Sequence, residues 1–199
     1  MPGSVIVGSD GLARCPWGVS TPNYLAYHDE EWGRPIRGDD ALFERLTLEA
    51  FQSGLSWLTI LRKREAFRHA FAGFHIDAVA AFDDRDHDRL MSDAGIVRNR
   101  AKVSAALANA KAARALDGGL ARLVWSHRPR PGEPPVTSAD VPARTTVSGA
   151  LARELKRHDF TFVGPTTAYA LMQAAGLVND HLRDCWVREV CEEGRRHDC

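Results

Sequence analysis

Two cysteines and two histidines near the ends of the chain have the chemistry of a single metal site; they are Cys15, His28, His181 and Cys185. Thiolate and imidazole are the ligands that zinc prefers, and four protein ligands leave no position open for water, so the site would be structural. The last two residues are four apart and would share one face of a helix. The same spacing could arise by chance, with the two cysteines acting only as small apolar side chains in the core.

Glu49 is the residue best placed for chemistry inside a helix. It lies between Leu46 and Ser53 on the apolar stripe of a helix predicted to begin near Asp39, so its carboxylate would point inward. A buried, unpaired charge is costly, and the carboxylate therefore needs an inward arginine, a helix end or a ligand. Aromatic residues at this density usually pack in a core. Facing a carboxylate, they would instead suit a flat, cationic ligand, because stacking, cation–π and Coulomb attraction then act on one molecule. These aromatic residues are Trp17, Tyr24, Tyr27, Trp32 and Trp57.

A third candidate site is the turn before Pro165, a residue suited to the first position of a helix. Backbone N–H groups at the start of a helix can bind a phosphate. The N–H groups expected to be free there belong to Val163, Gly164 and Thr166. An ordinary tight corner between two helices fits the same pattern equally well.

The elements that must position these residues are nearly all helical. Apolar spacing and end signals predict helices over residues 39–53, 57–71, 84–94, 99–116, 148–158, 165–175 and 180–190, with a short helix opening at Asp77. Five prolines within residues 126–146 predict a surface loop. The fold class predicted from this pattern is all-α.

Composition limits the class of protein. The chain has 199 residues, of which 44% are hydrophobic, enough for one domain with a full core. Its 26 basic and 26 acidic residues balance, which argues against coating nucleic acid by bulk charge but allows a local basic face. No leader is visible before Arg14 and no stretch approaches the length of a membrane span. We therefore expect a cytoplasmic protein without membrane contact, whose thiols are free or metal-bound.

Four segments carry a family resemblance: YLAYHDEEWG (24–33), LTLEAFQSGLSW (46–57), FVGPTTAYALMQ (162–173) and GLVNDH (176–181). In this order they resemble the 3-methyladenine DNA glycosylase I family of the helix-hairpin-helix DNA glycosylase superfamily. The resemblance implies an all-α helix-hairpin-helix glycosylase fold in which a zinc clasp joins the N- and C-terminal regions. It also implies an N-terminal extension over residues 1–14, a single glycosylase domain of two helical lobes over residues 15–190, and a C-terminal tail over residues 191–199.

The resemblance carries the family's site onto matching residues of this chain. It implies one structural zinc per chain, held by the two cysteines and two histidines named above. It implies a catalytic Glu49, which shares a base-binding pocket with Trp17, Tyr24, Tyr27 and Trp57. DNA contacts are implied at Gly54 and Leu55, which would fill the gap in the base stack, and at Val163, Gly164 and Thr166.

Two positions of the superfamily pattern bear on the reaction. Asn179 stands where the superfamily usually has a catalytic aspartate, a replacement that the family shares. Thr167 or a neighbour stands where bifunctional relatives have a lysine. The resemblance thus implies a monofunctional enzyme of base excision repair, acting as a monomer, that flips 3-methyladenine out of alkylated double-stranded DNA and excises it by hydrolysis.

Two other functions fit parts of the pattern. A zinc-stabilised, non-catalytic DNA-binding helix-hairpin-helix protein would keep the hairpin but would not need Glu49 and the aromatic set. A metal-dependent hydrolase needs an open zinc position with a carboxylate base beside it, whereas four protein ligands would close the site. Cys191, His197 and Cys199 could offer zinc alternative ligands, although their spacing does not favour them over Cys185.

Overall fold

The computed structural model describes residues 3–196, and nearly all of their regular structure is helical. The helices are α1 (Pro22–Glu30), α2 (Asp39–Gln52), α3 (Trp57–Ala70), α4 (Ile76–Ala80), α5 (Asp84–Ser92), α6 (Arg100–Arg114), α7 (Gly119–Trp125), α8 (Thr146–Arg157), α9 (Pro165–Ala174) and α10 (Val187–Arg196). Strands β1 (Ile6–Val7) and β2 (Ala13–Arg14) precede them as an antiparallel hairpin, with Ile6 opposite Arg14. Within residues 3–196, no helix is both long and apolar enough to cross a bilayer. The all-α prediction is confirmed, with a small hairpin added at the start.

Helix α2 lies at the centre of the molecule and contacts α3, α4, α6, α7 and α9. Its inner face carries large apolar side chains, among them the fully buried Phe43, Leu46 and Phe51. The Phe51 ring packs 4.8 Å from that of Phe67 on α3, which places Phe51 in the core. Burial of each such side chain contributes about 1.5–3 kcal/mol. These contacts fix α2, and therefore fix the position of Glu49 on it.

The end of α2 and the start of α3 combine local signals with one distant contact. Gly54 adopts a φ of +82° just after α2, a conformation that glycine takes without strain. Ser56 caps α3 by accepting a hydrogen bond from a first-turn N–H at 3.2 Å, as the sequence predicts. The last carbonyls of α2 are bonded from α6, because Lys102 Nζ donates to Phe51 O at 2.9 Å and to Ser53 O at 2.5 Å.

The turn between α8 and α9 is also held from α6. Thr161 N–H donates to Asn109 Oδ1 at 2.7 Å, and Asn109 Nδ2 donates to Thr161 O at 3.1 Å. Two residues of the turn, Asp159 and Phe162, have positive φ angles of 63° and 59°, a region that non-glycine residues enter at a cost. Helix α9 then begins with Pro165, as predicted.

The predicted helix over residues 180–190 is wrong in its first half. Residues 181–186 form a turn, and α10 begins at Val187. The reason is tertiary: within the turn, Leu182 N–H bonds to the Cys15 sulfur at 3.4 Å instead of to a carbonyl one helical turn earlier. The two predicted metal ligands of this segment therefore do not share a helix face. Residues 191–196, expected in a tail, are part of α10.

Two helices are absent from the sequence-based prediction. Helix α1 begins after Thr21, whose hydroxyl accepts a hydrogen bond from Tyr24 N–H at 3.2 Å, with Pro22 at the first position. This Thr-Pro pair is a readable start signal. Helix α7 is capped from α2 instead, since Ala121 N–H donates to Asp39 Oδ1 at 2.6 Å. No local pattern contains that contact.

The N-terminal segment is bound to the proline-rich loop and to the 181–186 turn. Ser138 N–H donates to Gly3 O at 2.9 Å, and Trp186 N–H donates to Ala13 O at 2.9 Å. The loop itself is irregular, as predicted, apart from one turn of 3-10 helix at Ser138–Asp140. The described part of the extension is thus attached to the segment that carries the two C-terminal residues predicted to bind a metal.

Candidate functional site

A cleft of about 290 Å³ opens beside α1, α2, α3 and α9; its lining residues are Trp17, Tyr24, Tyr27, Trp32, Glu49, Gln52, Trp57, Ala170 and Gln173. All five residues of the predicted base-binding set lie on it. Trp32 and Gln52 could have been added from sequence, because one belongs to the same aromatic segment and the other lies one turn from Glu49 on α2. Ala170 and Gln173 reach the cleft only through the packing of α9 on α2.

Glu49 presents a buried carboxylate to this cleft. The residue is 6% exposed, and within the described residues no side chain or N–H group donates a hydrogen bond to it. The inward arginine nearby, Arg45, donates instead to the Tyr27 hydroxyl at 3.0 Å and to Glu31 at 3.5 Å. Burial raises the pKa of Glu49 to about 7, against the opposing influence of the Arg45 charge. The carboxylate is thus available to a cation that enters the cleft.

Aromatic rings form the walls around this carboxylate. Trp17 meets Tyr24 edge-on with ring centroids 5.8 Å apart, and Tyr27 meets Trp57 with centroids 5.4 Å apart. The Tyr24 hydroxyl accepts a hydrogen bond from a backbone N–H of α3 at 3.1 Å, which leaves its own proton free to donate. Burial raises the pKa of Tyr27, which keeps that hydroxyl protonated. Such walls suit a flat, cationic molecule with hydrogen-bonding groups on its edge.

The residues predicted to contact DNA lie on two segments adjoining helices that line the cleft. Gly54 and Leu55 follow α2, and the Leu55 residue is 41% exposed. Val163, Gly164 and Thr166 surround the start of α9, whose first turn has no side-chain cap. The Val163 side chain is buried and Thr166 is exposed. Uncapped N–H groups at a helix start bind anions, so the geometry permits the predicted phosphate contact.

The two cysteines and two histidines meet in a buried group, here called the Cys2His2 cluster, although they come from opposite ends of the chain. Their four ligand atoms lie within 4.8 Å of one another. The Cys185 sulfur is 3.5 Å from His28 Nε2 and 3.6 Å from His181 Nδ1, and the Cys15 sulfur is 3.8 Å from His181 Nδ1. Sulfur and nitrogen ligands of a tetrahedral zinc, with bonds of about 2.3 and 2.0 Å, are about 3.5 Å apart. The cluster can therefore hold a metal ion.

Both histidines of the cluster are oriented for metal binding. His28 Nδ1 donates to the Asp29 carboxylate at 2.7 Å, and His181 Nε2 donates to Trp32 O at 2.9 Å. Because neither acceptor has a proton to give, the ring nitrogen bonded to it must be the donor, and the other nitrogen of each ring faces the cluster, as in metal-bound histidines. The neighbouring Cys185 sulfur, together with burial, raises the pKa of the Cys15 thiol. A cation bound between the two sulfurs would instead lower the pKa of this thiol.

Cys191 packs beside the cluster without belonging to it. Its sulfur lies 3.8 Å from Trp32 O, and burial raises the pKa of its thiol to about 11. The other alternative ligands, His197 and Cys199, lie outside the described residues. The ligand set favoured by the geometry of residues 3–196 is the predicted one.

The Cys2His2 cluster packs against one wall of the cleft. The Trp17 ring centroid is 5.1 Å from that of His28, and the Trp32 ring centroid is 4.7 Å from that of His181. Both tryptophans line the cleft. A shift of the histidines would therefore move the cleft wall.

Asn179 is buried and bonded to α10. Its amide donates to Arg188 O at 3.0 Å and to Glu192 Oε1 at 2.8 Å. These bonds give the side chain a structural role in joining the 181–186 turn to the last helix.

Comparisons with known proteins match most of the chain. The family model for Methyladenine glycosylase matches residues 17–189. The DNA-3-methyladenine glycosylase of Haemophilus influenzae is 43% identical over 178 residues, which cover 86% of this chain and 96% of the relative. DNA-3-methyladenine glycosylase 1 of Escherichia coli K12 is 43% identical over 180 residues, which cover 87% and 96%. The 3-methyladenine DNA glycosylase I of Staphylococcus aureus, solved to explain 3-methyladenine recognition, aligns with a TM-score of 0.83 at 36% identity and covers 88% and 96%.

Proposed function

The chain belongs to the methyladenine glycosylase family, and on that premise we propose that it is a monofunctional DNA glycosylase that excises 3-methyladenine from alkylated DNA by hydrolysis. The observation that carries the proposal is the Glu49 carboxylate, which is buried in a cleft of aromatic rings and accepts no hydrogen bond from residues 3–196. The relatives named above are DNA-3-methyladenine glycosylases at 43% identity over most of the chain. The protein is thus an enzyme of base excision repair.

The volume and the aromatic lining of the cleft suit one base rotated out of the duplex. Flipping costs a few kcal/mol, and the cost is lower for a lesion that pairs poorly. Trp57 and Trp17 would stack on the flipped base, at about 1–3 kcal/mol per aromatic contact. The Tyr24 and Tyr27 hydroxyls, which each accept a hydrogen bond from the protein, would donate their own protons to acceptors on the base edge.

Glu49 would select the lesion by its charge. An adenine methylated at N3 is cationic while it remains attached to the sugar, whereas ordinary adenine is neutral. In a cleft from which water is largely excluded, the attraction between this cation and the Glu49 carboxylate is stronger than it would be in water. Binding the cation would also lower the pKa of Glu49 from about 7, so the carboxylate would be ionised in the complex.

Cleavage of the glycosidic bond then needs little help from the protein. The methylated base leaves as a neutral molecule, and water attacks the anomeric carbon of an oxocarbenium-like sugar. Asn179 cannot supply the negative charge of an aspartate there, and its amide is bonded to α10. Thr167 is no amine nucleophile, so cleavage of the strand through a Schiff base is not expected.

Duplex DNA would lie across the mouth of the cleft. Leu55, exposed beside Gly54, would fill the space left by the flipped base. The N–H groups of Val163, Gly164 and Thr166 at the start of α9 would hold a backbone phosphate. We expect the protein to act as a monomer on double-stranded DNA in the cytoplasm.

The Cys2His2 cluster would hold one zinc ion with a structural role. Two thiolates and two imidazoles are a donor set that zinc favours, and they fill its four positions. When bound, the metal would supply stability and not chemistry. The ligands would fix the 181–186 turn against the N-terminal segment, and through Trp17 and Trp32 they would fix the cleft wall.

The direct test is release of 3-methyladenine from methylated duplex DNA, measured by chromatography. We expect release by the wild type, and a loss of about 100-fold in kcat/KM for Glu49→Gln, which removes a charge aimed at the base. Glu133→Gln, a change of the same kind at an exposed loop residue, should keep full activity.

Each outcome of this test discriminates between functions. A wild type that binds methylated DNA without releasing the base would instead be a non-catalytic DNA-binding protein. Full activity of Glu49→Gln would show that the charge of Glu49 is not needed for release of the base. A loss of about 100-fold in release by Glu49→Gln, together with full release by the wild type and Glu133→Gln, is the result that supports the proposal.

A further inference from the structure

Gln173 lies between the cleft and a second cavity of about 290 Å³. Gln173 lines both spaces, and Asp180 lines the second. The Asp180 Oδ2 atom accepts hydrogen bonds from Gln173 Nε2 at 2.8 Å and from the Tyr169 hydroxyl at 2.7 Å. Tyr169 is buried, and burial together with this bond raises the pKa of its hydroxyl, so Tyr169 is the donor. Two residues one turn apart on α9 thus share one carboxylate.

This arrangement determines which end of the Gln173 amide remains for the cleft. An ionised carboxylate accepts hydrogen bonds and donates none, so the amide must turn its NH2 group towards Asp180. The carbonyl oxygen Oε1 then has no hydrogen-bond partner within residues 3–196. This oxygen is not fully enclosed by protein, as expected for an atom that faces an open cleft.

Asp180 itself is held from both sides along the chain. Its neighbour Asn179 is bonded to α10 through its side chain. Its other neighbour, His181, belongs to the Cys2His2 cluster. A side chain between two fixed residues is a rigid support, and rigid support is what an orienting residue needs.

Resting on the proposed function, we propose that Gln173 recognises the exocyclic amino group of the base through its carbonyl oxygen and that Asp180 is the residue that positions it. Adenine carries an amino donor at this ring position, whereas guanine and hypoxanthine carry a carbonyl oxygen there. A carbonyl held in the cleft attracts the amino group and repels the oxygen. Glu49 would therefore select the positive charge, and Gln173 would select the adenine edge.

The test compares the affinities of two free bases for the full-length protein by tryptophan fluorescence. The bases are 3-methyladenine and 3-methylhypoxanthine, which differ at this position by an amino group and an oxygen. We expect the wild type to prefer 3-methyladenine, so the dissociation constant of 3-methylhypoxanthine divided by that of 3-methyladenine should exceed one. Gln173→Met should reduce this ratio about tenfold. Asp180→Ala should reduce the ratio to a similar extent. The variant that combines Gln173→Met with Asp180→Ala should reduce it no more than either change alone, because both changes remove the same oriented carbonyl.

Two further variants separate positioning from stability. Asp180→Asn keeps the shape but can donate a hydrogen bond to an inverted amide, so it should lower the ratio in the same direction and serves if Asp180→Ala does not fold. Tyr169→Phe removes the other partner of Asp180 and leaves its bond to Gln173, so the ratio should stay within about twofold of the wild type.

An unchanged ratio in Gln173→Met overturns the inference. A changed ratio in Gln173→Met with an unchanged ratio in both Asp180 variants overturns the positioning role. If the Asp180 variants bind both bases more weakly by the same factor, Asp180 has a structural role only, and this result would also overturn the positioning role. These results are distinct from failure of the proposed function, which would appear as a wild type that releases no 3-methyladenine from methylated DNA.

Discussion

The Glu49 carboxylate is placed where the fold alone would not favour it. Its pKa of about 7 lies above the ordinary value of 4.5 because burial disfavours the ionised form. Ionising the residue in the folded protein therefore costs stability, with no compensating hydrogen bond from the described residues. The same burial provides a pre-formed binding site for a cation.

The first prediction concerns the pH dependence of stability. Between pH 4.5 and about 7 the folded protein binds more protons at Glu49 than the unfolded chain does, so this residue makes the free energy of unfolding fall as pH rises. The full effect above pH 7 is at most about 3 kcal/mol. Glu49→Gln cannot titrate, so relative to the wild type it should gain stability between pH 4.5 and pH 8.

Denaturant unfolding of both proteins at these two pH values measures the effect. Glu133→Gln, at an exposed position, should follow the wild type and provides the control. If the difference between Glu49→Gln and the wild type is the same at both pH values, the carboxylate is not buried in the way described.

At the scale of elements, the site is held by contacts between helices that are distant in sequence. Lys102 on α6 bonds two carbonyls at the end of α2, and Asn109 on the same helix holds the turn before α9. Helix α6 thus fixes both segments that would contact DNA. The Lys102 Nζ is also 6.0 Å from the Phe162 ring, which brings the two segments to one side of α6.

The second prediction is that Lys102→Met destabilises the protein by about 2 kcal/mol, since two hydrogen bonds from a charged group to the end of α2 are lost. Methionine keeps most of the apolar stem, so packing should change little. Because the turn at Gly54 loses its support, affinity for DNA should also fall. Chemical unfolding and DNA titration measure the two effects.

Lys111→Met is the matched control, as Lys111 lies on the same helix and is exposed. It should leave both stability and DNA affinity close to the wild type. Equal stability of the two variants would contradict the capping role of Lys102.

At the scale of the whole molecule, the Cys2His2 cluster joins the two ends of the chain. A small group of apolar contacts, separate from the main core, surrounds this cluster. It consists of Leu182, Val187 and Cys191 together with the two cysteines of the cluster, Cys15 and Cys185. So small a group contributes little stability by burial alone. A metal ion would therefore be the main bond between the N-terminal segment and the C-terminal turn.

The third prediction is that the purified protein contains one zinc per chain and that its removal lowers the free energy of unfolding by several kcal/mol. For a chain of this size that corresponds to a fall of about 10 °C in Tm. His181→Ala should have the same effect, and His69→Ala, at an exposed position on α3, should have none. Metal analysis and thermal unfolding with and without a chelator measure these outcomes; a wild type equally stable without metal would contradict them.

Much of this architecture could be read from the sequence because its signals are local. The apolar stripe of α2 places Glu49 inside, and Ser56 and Pro165 mark helix starts through bonds or restrictions within one turn. The aromatic segment stands out by residue type, and the family resemblance singles out the four candidate metal ligands. The fold class follows from these local signals, and the expected chemistry follows from the short motifs that carry the family resemblance.

Only the tertiary structure decided what distant segments do to one another. The 181–186 turn is not helical because the N–H groups of Leu182 and Trp186 bond to the N-terminal segment. Helix α7 starts where Asp39 caps it from α2. Gln173 reaches the cleft because α9 packs on α2, and its orientation depends on Asp180 in the following turn. Sequence periodicity records which face of a helix is apolar, but it does not record which partner occupies that face, and in this protein that partner decides the lining of the site.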